Sequence, residues 1–135
     1  LSKRQSGKPM IRTVTALSLA ALTALPALAV ELVMVEQPGC AYCRQWDTEL
    51  SEIYPKTPEG QAAPLVRVQL VDVQKGRTEF DFARPVNFTP TFVLVEDGAE
   101  LARIEGYPGE DFFWGLLGMM LKAQIGFDPA TQADG

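Results

Sequence analysis

From residue 31 onward the apolar positions repeat with a period of two in some stretches and near 3.6 in others, and the changes of period divide the chain into elements. Glu31 to Glu36 (ELVMVE) is short, rich in β-branched residues and closed by the Pro38-Gly39 breaker, which predicts a buried strand. Cys43, Trp46, Leu50 and Ile53 then recur at helical spacing, so a helix is expected to start near Cys40 and to stop at Pro55. Lys56 to Pro64 (KTPEGQAAP) reads as a loop. Leu65 to Val73 (LVRVQLVDV) carries Val and Leu on both alternating sets, the pattern of a strand buried on two faces in the middle of an α/β sheet.

Arg77 to Phe88 holds Phe80, Phe82 and Val86 and is expected to form a short helix or turn that packs them on the sheet. Thr91 to Glu96 and Glu100 to Gly106 flank Asp97-Gly98, a tight hairpin signal. A last helix is predicted from about Gly109 to Ile125, with Phe112, Phe113, Leu116, Leu117, Met120 and Leu121 as its apolar side. The tail from Asp128 to Gly135 is expected to fray. The order is β-α-β-(α)-β-β-α, an α/β chain whose mixed central sheet of about four strands is flanked by helices. No repeat, linker or second domain interrupts it.

The stretch before residue 30 has a different character. Lys3, Arg4, Lys8 and Arg12 precede an apolar run from Val14 to Leu25, followed by Pro26-Ala27-Leu28-Ala29, in which Ala27 and Ala29 form an A-x-A cleavage site. Residues 1–29 are therefore read as a signal peptide and residues 30–135 as the folded domain. Apolar residues continue from Leu32 to Val35 and approach the roughly 20 that span a bilayer, but Pro26 and Glu31 interrupt them, so an uncleaved anchor is the lesser alternative. Under either reading the domain lies outside the cytoplasm, where paired cysteines tend to be oxidised.

Composition adds two limits. At 47% hydrophobic residues the chain can build a core. Residues 30–135 hold 8 Lys and Arg against 17 Asp and Glu, a net charge of −9, which repels nucleic acid and anionic lipid and points to proteins as partners.

The candidate chemistry is in Glu36 to Trp46 (EQPGCAYCRQW), which holds both cysteines, Cys40 and Cys43. With no histidine in the chain, four ligands for structural zinc are not at hand. A two-cysteine Cu(I) carrier is an alternative, since thiolates suit that ion. A purely structural disulfide would close a tiny loop and remove little chain entropy. A redox pair explains the placement better: Cys40 falls at the predicted helix N-terminus, where unpaired N–H groups and the dipole favour a thiolate. Cys43, almost one turn further in, can attack a mixed disulfide on Cys40 and release the partner.

Cys-Ala-Tyr-Cys at a strand-to-helix junction, Thr89-Pro90-Thr91 before a later strand, the Asp-Gly hairpin and the Gly106-Tyr107-Pro108-Gly109 run ahead of Phe113-Trp114 resemble the thioredoxin family over nearly all of residues 31–125. The resemblance implies a minimal thioredoxin-like (glutaredoxin-like) fold and a thiol-disulfide oxidoreductase with no cofactor beyond its own redox-active disulfide. It also implies that Pro90 follows a cis bond and that the backbone of Thr89 pairs with an extended substrate. The chain departs from cytoplasmic thioredoxins in having Ala41-Tyr42 for Gly-Pro, Gly39 for Trp, and Met34 where a buried aspartate assists proton transfer. Glu36 is the nearest substitute for that acid, against the plainer reading of a solvated strand end. Tyr42 is shared with glutaredoxins and makes glutathione a candidate co-substrate. Arg44 is a candidate for lowering a thiol pKa or binding a glutathione carboxylate, against the plainer reading of a solvated helix residue.

Among exported members the layout resembles the small thioredoxin of the bacterial sulfur-oxidation (Sox) gene cluster. This implies a periplasmic monomer that reduces a blocked cysteine on the sulfur-carrier protein of that pathway and is recharged by a membrane thiol donor of the CcdA/DsbD kind. A disulfide oxidase or isomerase is the rival enzyme reading. The strong oxidants of the family carry a histidine between the cysteines, which speaks against that reading here. Tyr42, Phe88, Pro90, Tyr107 and Pro108 are candidates for an apolar docking rim around Cys40, against the plainer reading that Phe88 and Tyr107 pack beneath the loops, and Trp46 and Trp114 are expected in the core.

Overall fold

The computed structural model describes residues 29–132 together with Ser2 and Gly7; apart from Ser2, Gly7 and Ala29 the expected signal peptide lies outside the described residues. Four strands form one sheet in the order β2-β1-β3-β4: β1 (Val30–Glu36), β2 (Leu65–Gln69), β3 (Thr91–Glu96) and β4 (Ala99–Glu105). β1 pairs parallel with β2 and antiparallel with β3, and β3 pairs antiparallel with β4. Alternation along β1 and β3 divides the core in two. Leu32, Met34, Phe92 and Leu94 face α1 (Ala41–Leu50) and a long C-terminal helix, Glu110–Ile125. Val33, Val35, Val93 and Val95 face Leu70, Phe80 and Val86 on the other side. Among the described residues no helix is long and apolar enough to cross a membrane.

The hairpin between β3 and β4 has φ of 51° at Asp97 and 81° at Gly98. Both central residues lie in the left-handed region, the condition of the type I′ turn that Asp-Gly favours.

Several expectations are corrected. The second strand stops at Gln69, because Leu70–Gln74 forms a short helix, α3, that turns Leu70 and Val73 onto the sheet face. That strand is also an edge strand, half-buried, and not the middle of the sheet. The expected loop from Lys56 to Pro64 holds a helix α2 (Pro58–Ala62) and follows a 3-10 turn, Tyr54–Lys56, while α1 ends at Leu50 well before Pro55. Thr57 starts α2 by accepting the Gly60 N–H at 3.0 Å, and Pro58 sits in the first turn, where its missing N–H costs nothing.

Arg77 to Phe88 holds no helix. It runs extended past β4, bridging Asp81 to Ala99, and it does bury Phe80 and Val86 as expected. Within the tail expected to fray, Pro129–Gln132 form α5 after the long helix, α4 (Glu110–Ile125), with the Asp128 carboxylate accepting the Ala130 N–H at 3.0 Å, and residues 133–135 lie outside the described residues. On α4 the buried stripe is Phe113, Leu117, Met120 and Leu121; Phe112 and Leu116, assigned to the apolar side, are exposed.

Gly60 carries more of the fold than its place in a polar stretch suggests. A Cβ there would lie 1.8 Å from the Tyr54 carbonyl oxygen and 2.7 Å from its carbon, both backbone atoms. Tyr54 is itself buried, donates to the Ala63 carbonyl at 2.7 Å and stacks on Trp114 with centroids 6.0 Å apart. Gly60→Ala is therefore expected to cost about 2–3 kcal/mol by overpacking. Urea unfolding checks this as a lower midpoint at unchanged slope.

Candidate active site

Three loops leave the same end of the sheet. β1 ends at Glu36, Thr91 at the start of β3 pairs with Val35, and Glu105 at the end of β4 pairs with Thr91, so segments 37–40, 88–90 and 106–108 emerge side by side. Hydrogen bonds tie them together. The Gln37 amide donates to Thr89 Oγ1 at 2.9 Å and the Gly106 N–H donates to the Pro90 carbonyl at 2.7 Å. The Tyr107 hydroxyl donates to the Glu49 carboxylate near the end of α1. The Thr89-Pro90 bond is cis, and Thr91 Oγ1 donates to the Phe88 carbonyl at 2.6 Å.

Cys40 is the N-cap of α1, extended at φ −76° and ψ 105°, and its sulfur accepts the Cys43 N–H at 3.1 Å, the bond that a serine or aspartate oxygen makes at other helix starts. The two cysteines are joined as a disulfide with Cα atoms 5.2 Å apart. Cys40 is 8% exposed and Cys43 4%, so residue 40 is more enclosed than its position at a helix tip suggests. The first turn of α1 contains no acidic residue and ends in Arg44, an exposed cation. The helix terminus favours a negative sulfur at position 40 once the bond is reduced.

Beside the disulfide opens a cavity of about 260 Å³, walled by both cysteines, Gln37, Arg44, Asp47 and Glu36. A larger one, about 500 Å³, runs along the outer edge of β2 between Gln69 and Phe80 and touches neither cysteine. Glu36 is not a plain solvated strand end: Arg67 Nη1 binds its carboxylate at 2.7 Å and Gln69 approaches at 3.4 Å. The same guanidinium binds Asp47 on α1 and lies 5.6 Å above the buried Trp46 ring. Arg67 stands directly opposite the apolar Met34 in the parallel ladder. Glu36, Arg44 and Asp47 thus bring charge to the wall of the cavity.

Of the expected rim, Tyr42 (60%) and Phe88 (59%) are exposed, as is Pro108, while Pro90 and Tyr107 are packed beneath the loops. Trp46 is fully buried and Trp114 half-buried against the same core. The Tyr107 hydroxyl and then the Gln45 amide hold the Glu49 carboxyl below its usual range. Burial, with the Glu49 carboxylate, pushes the Tyr107 hydroxyl up. Sequence reasoning passed over Gln37, Asp47, Glu49 and Arg67. Arg67 had a signal, being the one charge inside LVRVQ; the other three look like ordinary surface residues. Among the described residues no group of three or more His, Cys, Asp or Glu side chains is arranged to hold a metal ion.

The sequence pattern of a thioredoxin-like domain matches residues 26–120. The chain is 49% identical to the periplasmic thioredoxin SoxS of Paracoccus pantotrophus, solved in its reduced form, over 68% of this chain and 95% of that one, with a TM-score of 0.61. The thioredoxin Mala s 13 of Malassezia sympodialis (17% identity, 67% and 76% of the two chains, TM-score 0.51) and thioredoxin f2 of Chlamydomonas reinhardtii (16%, 69% and 80%, 0.50) share the fold. No curated protein sequence matches. The chain belongs to the thioredoxin-like family, and with Cys40 and Cys43 paired at the head of α1 it is a thiol-disulfide oxidoreductase. Within that family it is a SoxS-like thioredoxin.

Proposed function

We propose that the protein is exported to the periplasm and reduces disulfides or mixed disulfides on a partner protein. The observation that carries this reading is the Cys40–Cys43 disulfide at the N-cap of α1, on the sheet end that also holds cis Pro90. The Cys40 thiolate attacks one sulfur of the target, forming a mixed disulfide and expelling the other target sulfur as a thiolate. Cys43 then loses its proton and attacks the Cys40 sulfur, which forms the internal disulfide and releases the second target thiolate. Two electrons pass to the target, and a dithiol donor must restore both thiols.

Thr89 offers its backbone to the chain around the target sulfur, beside Pro90, and Tyr42 supplies an exposed aromatic face. Glu36, held by Arg67 at the cavity mouth, is the proton acceptor we assign to Cys43, and Arg44 favours the thiolate at Cys40. Export is supported by the leader pattern in residues 1–29 and by the periplasmic location of the SoxS relative. On the same likeness the partner is the sulfur-carrier protein of a Sox pathway, and the electron source a membrane thiol donor of the CcdA/DsbD kind. Glutathione enters as a co-substrate through Tyr42.

Equilibration with glutathione redox buffers tests the direction. With no histidine between the cysteines to stabilise the reduced form, the potential is expected at about −270 to −200 mV. A value near −120 mV would make the protein an oxidant and overturn the proposal.

A further inference from the structure

The most enclosed ion pair of the described residues plays no part in the exchange of sulfurs. Arg103 and Glu100, both on β4, have side chains only 3% and 5% exposed. Arg103 Nε binds one Glu100 oxygen at 2.6 Å and Nη2 the other at 2.7 Å, a two-pronged pairing. Residues three apart on a regular strand point to opposite faces. Here the ladder slips: Leu94 pairs with Ala102 and Val95 with Glu100, so Leu101 is an extra residue. This β-bulge brings Glu100 to the face that Arg103 already occupies.

What the pair holds is backbone. Arg103 Nη1 donates to the Pro85 carbonyl at 3.0 Å and Nη2 to the Arg84 carbonyl at 2.8 Å, while a Glu100 oxygen accepts the Ala83 N–H at 2.7 Å. Arg84 reaches forward to Glu105 at 2.7 Å. The segment so gripped runs directly into Val86, which is buried, and then into Phe88 and Thr89. A buried ion pair adds little net stability over apolar side chains of the same volume. An apolar pair, however, has nothing to offer three backbone groups.

We infer that Arg103 and Glu100 are positioning residues: they fix the Ala83–Thr89 segment so that Phe88 and the Thr89 backbone present a preformed edge, and so favour polypeptide disulfides over small ones. The inference rests on the role given above to Thr89. Preorganisation of this kind lowers the ordering cost of docking. It leaves the sulfurs themselves untouched.

Two variants separate this from a general structural role. Arg103→Lys keeps the charge but loses the fork, and Glu100→Leu with Arg103→Met keeps the volume but loses every bond to the segment. Second-order rate constants for the reduced protein are measured with a disulfide-linked peptide and with hydroxyethyl disulfide, which has no backbone to pair. Both variants are expected to lose about tenfold with the peptide and to stay within about twofold with hydroxyethyl disulfide. NMR order parameters of the Asn87, Phe88 and Thr89 amides should fall from about 0.85 to below about 0.6. Equal losses with both disulfides, or order parameters that do not move, would overturn the inference. A peptide preference that survives both variants overturns it alone, whereas no preference in the unaltered protein overturns the role of Thr89 and the inference with it.

Discussion

Replacing Cys43 by serine is expected to leave the partner protein covalently attached through Cys40, as a mixed disulfide visible in non-reducing electrophoresis and mass spectrometry. Exposure alone does not select the attacking sulfur, since 8% and 4% are too close to decide. Position does. The Cys43 N–H is placed to donate to the sulfur of Cys40 at 3.1 Å, and a hydrogen bond to a charged group contributes about 1.5–3 kcal/mol. Once the disulfide is reduced, this bond and the helix terminus both favour the charged sulfur at position 40. Cys43 lies inside the helix, where no helix-terminal N–H is free to stabilise its sulfur and its own N–H is already engaged with Cys40.

The second step is intramolecular, with an effective concentration on the order of 10⁵ M or more for well-placed groups. Millimolar external thiol cannot replace it, so turnover with Cys43→Ser should fall by at least about 10³-fold while the first attack proceeds. Cys40→Ser should trap nothing and turn over nothing. Equal trapping through Cys43 in that second variant would overturn the order of attack proposed here.

The elements that were legible in the sequence are those whose own residues settle the matter. Glu31 to Glu36, Thr91 to Glu96 and the Asp97-Gly98 turn carry strand and hairpin signals that need no partner to interpret, and all three are observed. The Cys-Ala-Tyr-Cys and Thr-Pro motifs likewise placed the site at one end of the sheet. What was not legible depended on neighbours distant in the chain. Leu65 to Val73 carries Val and Leu on both alternating sets whether it continues as a strand or folds over as a helix, and only the packing of Leu70 beside Phe80 and Val86 decides. The Lys56 to Pro64 segment looks like a loop because of Pro58 and Gly60, yet Pro58 starts a helix and Gly60 is required by contact with Tyr54. The Arg103–Glu100 pair was invisible because spacing of three in a strand argues against it, and the bulge that permits it leaves no mark in the sequence.

The long C-terminal helix supplies the sharpest test of packing, because two adjacent phenylalanines on it should behave in opposite ways. Phe113 is fully buried and meets Phe92 at 4.9 Å, Trp114 at 5.3 Å, Trp46 at 5.9 Å, Tyr107 at 6.1 Å and Tyr54 at 6.5 Å between ring centroids. It neighbours five aromatic rings of that core, so its removal leaves a cavity with several rigid walls and little room to collapse. Phe113→Ala is therefore expected at the upper end of the roughly 3–5 kcal/mol range for such truncations. For a domain of this size that corresponds to a fall in Tm of ~15–30 °C. Phe112 is 69% exposed, and Phe112→Ala should change stability by no more than about 0.5 kcal/mol, with the better helix propensity of alanine on its side. Thermal and urea unfolding of the two oxidised variants measure the contrast directly. Because Phe113 also supports Tyr107, whose hydroxyl ties the 106–108 loop to Glu49, the damaged variant should lose disulfide exchange before it loses its secondary structure. Similar losses from both substitutions would mean that the helix is rotated from the orientation in which Leu117 and Leu121 face the sheet.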